Sequence, residues 1–164
     1  MKQNYLFYLI SCLCAFSVNA QDTIEQAKNP YTEADTPNPK SVYGISKLLG
    51  EQYAIDKNPN TIVIRTSWLY SEYGKNFVKT MLNLSETHDE VSVVCDQLGS
   101  PTSAVELAKA IHHFEGTENY GLYHATCEGD TNWADCTEEI FKRAGGDRQE
   151  AGYTKEKQSR TITR

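Results

Sequence analysis

The sequence contains no Cys-x-x-Cys pair and no His–Cys cluster at zinc spacing, which leaves structural zinc and dithiol redox chemistry without ligands. It has no long run of like charge, and its pI near 5.2 speaks against nucleic acid as a partner, since such grooves need a concentrated basic face. Internal repeats and low-complexity tracts are missing as well, so no solenoid or array is indicated. The longest apolar run, Tyr5 to Phe16, is shorter than the about 20 residues of a stable membrane span. The lone histidines His88, His112, His113 and His124 lack metal spacing, so no metal site is expected and they read as structural or surface groups.

What is present suits one soluble domain: 164 residues, 39% hydrophobic, net charge −6. The five cysteines are scattered and read as reduced core thiols of a cytosolic fold. Only Cys127 and Cys136 are near enough in sequence to suggest a disulfide. Residues 1–20 read as a secretory signal, with Lys2, an apolar stretch and small residues at Val18-Asn19-Ala20. A buried strand or helix is the alternative reading of that stretch. Residues 147–164 are polar and aperiodic, and read as a disordered tail.

Residues 21–146 alternate helical and strand signals. After a proline-rich loop, "NPYTEADTPNPKS", a helix is expected from about Ser41 to Lys57, with Val42, Ile45, Leu48, Leu49 and Ile55 as its inward stripe. "TIVIRTSWLY" reads as a strand buried on both faces. Helical period returns in "NFVKTMLNLSETH", in "SAVELAKAIHHF" behind a Ser103 cap, and in "NWADCTEEIFKRAG" behind an Asn132 cap. "VSVVCDQ" and "GLYHATCEG" supply further strands. The order predicts an α/β fold with a parallel sheet.

One pattern on the first helix carries chemistry. Tyr43 and Lys47 in "SVYGISKLLGE" stand four apart, so both side chains share a helix face. An ammonium beside a phenol favours the phenolate and suits the phenol to pass a proton to a carbonyl oxygen. The same spacing recurs at Tyr53/Lys57 and Tyr153/Lys157, so the spacing alone identifies nothing.

The surroundings are more specific. "NPYTEADTPNPKSVYGISKLLGE", "RTSWLY", "GKNFVKTML", "DQLGSPTSAVELAKAI", "GLYHAT" and "NWADCTEEIF", in that order, resemble dTDP-4-dehydrorhamnose reductases, extended short-chain dehydrogenase/reductases, from about Asn29 to Gly146. The resemblance implies a partial Rossmann-like sheet carrying the substrate-binding region. It implies NADPH or NADH as hydride source and a 4-keto nucleotide sugar as substrate, for dTDP-rhamnose and polysaccharide biosynthesis. Tyr43 would be the proton donor, and Lys47 its electrostatic partner and the ligand of the nicotinamide ribose. Trp68 would border the sugar, and Asn76, Gln97 and Thr102 would line the nucleotide-sugar cleft. Each has a plainer reading: core packing for Trp68, a helix cap for Asn76, a Gly/Pro turn for 96–102.

The family's opening strand, glycine-rich turn and helix have no counterpart in the sequence. From Gln21 to Val42 there is less chain than the roughly 30 residues of one βαβ unit. The dinucleotide-binding half is therefore expected to be absent, the chain to be a fragment with doubtful cofactor binding of its own, and "TIVIRTS" to be left with an open apolar edge that invites aggregation. A non-catalytic module binding a nucleotide sugar or a protein is the alternative. The family implies a cytoplasmic setting, a working leader a secreted or periplasmic one, and a homo-oligomer is left open.

Overall fold

A computed structural model describes residues 30–144, together with the strands Leu6–Ser11, Tyr153–Thr154 and Ser159–Thr163. The central sheet is three-stranded and wholly parallel, in the order β1 (Leu6–Ser11), β2 (Thr61–Thr66), β7 (Gly121–His124). Every residue of β2 is buried, as its β-branched apolar sequence requires of a middle strand. Helix α1 (Val42–Lys57) leads into β2, and α3 (Ala104–Phe114) leads towards β7. Ile62 and Ile64 of β2 pack with Leu107 of α3, flanked by Ile111, Phe114 and Tyr123.

A second apolar cluster joins α2 (Phe77–Thr87), β4 (Glu90–Val94) and α4 (Trp133–Arg143) through Met81, Val91, Val93, Ala134 and Phe141. In β4 only Val91 and Val93 are buried, the alternation of a strand with one covered face. Two small ladders complete the architecture. β3 (Leu69–Tyr70) pairs in parallel with β6 (Thr102–Ser103), and β5 (Leu98–Gly99) pairs antiparallel with β8 (Thr131–Asn132). Ser41, Asn76, Ser103 and Asn132 cap the four helices, each side chain accepting a first-turn N–H.

Four expectations are corrected. The apolar run near the N-terminus supplies β1, which pairs residue for residue with β2 from Leu6↔Thr61 to Ser11↔Thr66. The strand reading of that run thus has support where the signal reading has none; Val18–Ala20 lies outside the described residues. For the same reason β2 has no open edge. The polar C-terminal segment is not wholly a tail. Its Ser-Arg-Thr-Ile-Thr stretch forms β10 (Ser159–Thr163), antiparallel to β4 and to β9 (Tyr153–Thr154). Tyr153 therefore stands on a strand, so the third Tyr-x-x-x-Lys is not a helical pair.

The fourth correction concerns α1. Of the expected inward stripe, Val42, Ile45, Leu49 and Ile55 are exposed and Leu48 is half-buried; Tyr43 and Tyr53 are exposed too, while Gly44, Glu51 and Ala54 are buried. The physical reason is an ion pair. Arg65 of β2 is buried and its guanidinium binds the Glu51 carboxylate with Nε at 3.0 and 3.1 Å and Nη2 at 2.7 Å. Two charges taken out of water must face each other, and that requirement sets the rotation of the helix against the sheet.

Candidate active site

Ser41 caps α1 by accepting from the Gly44 N–H at 3.0 Å, which starts the helix immediately before Tyr43. One turn on, Lys47 places its Nζ 5.1 Å from the Tyr43 ring centroid, so the expected pair forms as a cation–π contact. Tyr53 and Lys57 make a similar contact at 5.4 Å. Their settings differ: Lys47 is half-buried and Lys57 exposed, and Tyr53 at 64% is more open than Tyr43 at 49%.

The helix bearing Tyr43 is tied to the sheet and to the loop before it. Beyond the Glu51–Arg65 pair, Arg65 Nη1 lies 3.4 Å from His124 Nε2, and His124 Nδ1 lies 3.3 Å from the Tyr31 carbonyl oxygen. The His124 backbone N–H donates to Glu33 Oε1 at 2.7 Å, and this hydrogen bond is the main cause that holds the Glu33 carboxyl below its ordinary range. His124, expected as a structural or surface group, thus links β7, β2 and the 30–36 loop.

At the C-terminal end of β2 the chain turns at Trp68, whose φ is +46°. That left-handed conformation costs a bulky residue about 1–3 kcal/mol and persists only where the surroundings impose it. The β3–β6 and β5–β8 ladders bracket the 96–103 segment beneath it. Ser67 Oγ donates to the Ser100 carbonyl at 2.8 Å, and the Thr102 N–H donates to the Trp68 carbonyl at 3.2 Å. The Trp68 indole stacks on Trp133, centroids 3.4 Å apart and planes 11° from parallel. Trp133 Nε1–H donates to Gln97 Oε1 at 3.2 Å, and Phe77 lies against Trp133 at 4.3 Å. Trp68, Phe77, Val78, Pro101, Trp133 and Cys136 are among the walls of a cavity of about 190 Å³.

Three of the four expected cleft residues, Trp68, Gln97 and Thr102, therefore gather in one place. Asn76 serves α2 instead: its Oδ1 accepts from Lys79 N–H at 3.1 Å and its Nδ2 donates to the Ser71 carbonyl at 2.7 Å. Trp133, second residue of "NWADC", is the member that the sequence reading missed. Its only signal was an aromatic residue just inside a capped helix. Cys127 and Cys136 are free thiols, so the suggested disulfide does not form, and burial pushes the Cys136 thiol up.

A parallel sheet with a cleft beyond the carboxyl end of its middle strand is the arrangement in which open α/β folds bind their ligands. The comparisons agree. Residues 14–164 match the RmlD substrate binding domain, and the chain belongs to that family. It is 44% identical over 119 residues to a dTDP-4-dehydrorhamnose reductase of Sinorhizobium fredii, covering 68% of this chain and 40% of that one. A second relative, the dTDP-4-dehydrorhamnose reductase of Aggregatibacter actinomycetemcomitans, is 41% identical over 120 residues, 70% of this chain and 41% of that one. Among solved structures, a dTDP-4-dehydrorhamnose reductase of Clostridium acetobutylicum superposes with TM-score 0.78 at 38% identity, covering 95% of this chain and 54% of that one. One from Bacillus anthracis, in complex with NADP, gives 0.72 at 37%, covering 85% and 47%. The chain thus spans about two fifths of the length of these curated relatives. The family match extends beyond Asn29–Gly146 at both ends.

Proposed function

We propose that this chain carries the proton-donating and sugar-binding portion of an NAD(P)H-dependent reductase acting on a 4-keto nucleotide sugar, in cytoplasmic dTDP-rhamnose biosynthesis for polysaccharide. The observation that carries the reading is the Tyr43–Lys47 contact on a helix anchored by a buried ion pair, within a chain of this family. Tyr43 protonates the sugar keto oxygen as negative charge develops there. Lys47, a turn away, stabilises the phenolate that is left and holds the nicotinamide ribose. Trp68 borders the sugar.

The donor set fits a dinucleotide in part. A phenol and an ammonium suit the ribose end, whereas the 164 residues contain no glycine-rich turn for the pyrophosphate. When bound, the reduced nicotinamide supplies hydride to the sugar carbon.

The test is a chimera that joins the nucleotide-binding portion of a related reductase upstream of Asn29. Turnover of dTDP-4-dehydrorhamnose with NADPH is expected. In it Tyr43→Phe should cost about 10²–10⁴-fold in rate, the range for loss of a general acid. Tyr53→Phe should cost almost nothing. Equal losses at both tyrosines would remove Tyr43 from the role.

A further inference from the structure

The sequence has two tryptophans, and the fold brings both into one stack. Trp68 does not choose its backbone conformation freely, so its neighbours must hold it there. Gly99 is one such neighbour. A Cβ at that position would lie 2.5 Å from Trp68 Cε2 and 2.6 Å from Nε1, so no side chain fits while the indole stays. Trp133 covers the ring itself, and Trp133 is in turn fixed by the Gln97 amide and by Phe77. Gln97 and Gly99 come from one short segment whose register the β5–β8 ladder sets, with Gly99 opposite Thr131 and Leu98 opposite Asn132.

We propose that Trp133, Gly99 and Gln97 are positioning residues for Trp68, fixing the indole as a wall of the cavity against which the apolar side of a deoxyhexose is oriented. The proposal rests on the reading of Trp68 as the sugar's neighbour. It gives Gln97 a different task from the expected ligand contact, because its amide oxygen already accepts the Trp133 N–H. A pyranose offers polarised C–H groups to the electron-rich face of an indole, and the strength of that contact depends on ring orientation. An indole free to rotate would lose it.

The experiment uses the full chain and two readouts. Stacked indoles give an exciton couplet in circular dichroism, and the chain's two tryptophans make that signal unambiguous. The couplet should be present in the wild type and collapse in Gly99→Ala, which keeps both indoles but has no room for Trp68 in place. Gln97→Met, at an exposed position where folding is not at stake, should weaken it. Titration with dTDP-rhamnose, followed by tryptophan fluorescence, should show affinity reduced about tenfold in Trp133→Leu, the upper end for losing an aromatic pair. Trp133→Phe, which keeps a ring against Trp68, should stay within about threefold of wild type. A merely structural Trp133 would lower the melting temperature of Trp133→Leu and leave its affinity unchanged, which overturns the proposal. An undiminished couplet in Gly99→Ala, with Gln97→Met equally unaffected, overturns it too. Absence of saturable binding by the wild type, with the couplet present and responsive to both variants, refutes the sugar reading and upholds the positioning of Trp68.

Discussion

Removing the guanidinium from Arg65 tests whether the buried pair holds α1 in place. Arg65 is 2% exposed and Glu51 3%, and three N–H···O contacts of 2.7 to 3.1 Å join them. Arg65→Met leaves the Glu51 carboxylate buried beside a thioether, and loss of one partner of such a pair costs about 3–5 kcal/mol. Domains of this size have about 5–15 kcal/mol of stability in all, so the loss is a large fraction. Replacing both partners, Glu51→Leu with Arg65→Met, removes the uncompensated charge. Such double replacements are neutral or stabilising by about 1–4 kcal/mol. The His124 Nε2 contact at 3.4 Å is lost with the guanidinium, which takes back about 1 kcal/mol. The double variant should therefore fall between about 1 kcal/mol below and about 3 kcal/mol above wild type, and well above the single one. Urea unfolding followed by helical circular dichroism gives both differences. If single and double variants are equally destabilised, the cost lies in lost packing rather than in the stranded carboxylate, and the account of how α1 is oriented is wrong.

Four further outcomes follow from the same structure. Glu33 has its carboxyl lowered from the ordinary 4.5 chiefly by the His124 N–H, so the ionised form is the one the fold favours. Its contribution is present above pH 4.5 and lost as pH falls through the folded value, so acid should loosen the 30–36 loop in hydrogen exchange, and Glu33→Gln should remove that pH dependence. Thr66 Oγ1 is buried without a hydrogen-bond partner among the described residues, so Thr66→Val should raise stability by about 1 kcal/mol, read as a higher urea midpoint. Phe141, 2% exposed in the α2–β4–α4 cluster, should cost about 3–5 kcal/mol on Phe141→Ala by the same assay. The 164-residue chain by itself should give no saturable NADPH fluorescence change, because its sequence offers no glycine-rich turn for the pyrophosphate; tight binding would show that another segment does that work.

Local chemistry made most elements legible. The caps Ser103 and Asn132 and the continuous burial of Thr61–Thr66 stand where the sequence places them, because a cap needs only its own first turn and a doubly covered strand only its own composition. The polar C-terminal strand was illegible for the opposite reason. Ser159–Thr163 becomes a strand through its pairing with Glu90–Val94, about seventy residues earlier, and nothing within five residues announces that. Around the cavity, the motif led to Trp68 and to its neighbours Gln97 and Thr102, whereas Trp133 enters through a ring stack between residues 65 positions apart.

The reversal of α1 teaches most. Its hydrophobic residues define a face, and burial of that face is the default. Yet Val42, Ile45 and Leu49 point to solvent, while an acidic residue points inward. Burying one more leucine stabilises by about 1.5–3 kcal/mol. Exposing Arg65 is not an alternative, since it sits in a fully buried middle strand, and leaving its charge unpaired there costs about 3–5 kcal/mol. The pair requirement outweighs any single apolar side chain, though not the three together, and the helix stands with Glu51 turned to Arg65. That same rotation gives Tyr43 and Lys47 their position at the border between the sheet side and solvent: Gly44 beside Tyr43 is buried, Lys47 is half-buried, and Tyr43 remains 49% exposed. On the proposed reaction, a proton donor must reach a substrate that enters from solvent and still keep a fixed orientation. A helix held by a buried ion pair eight residues from the phenol meets both conditions.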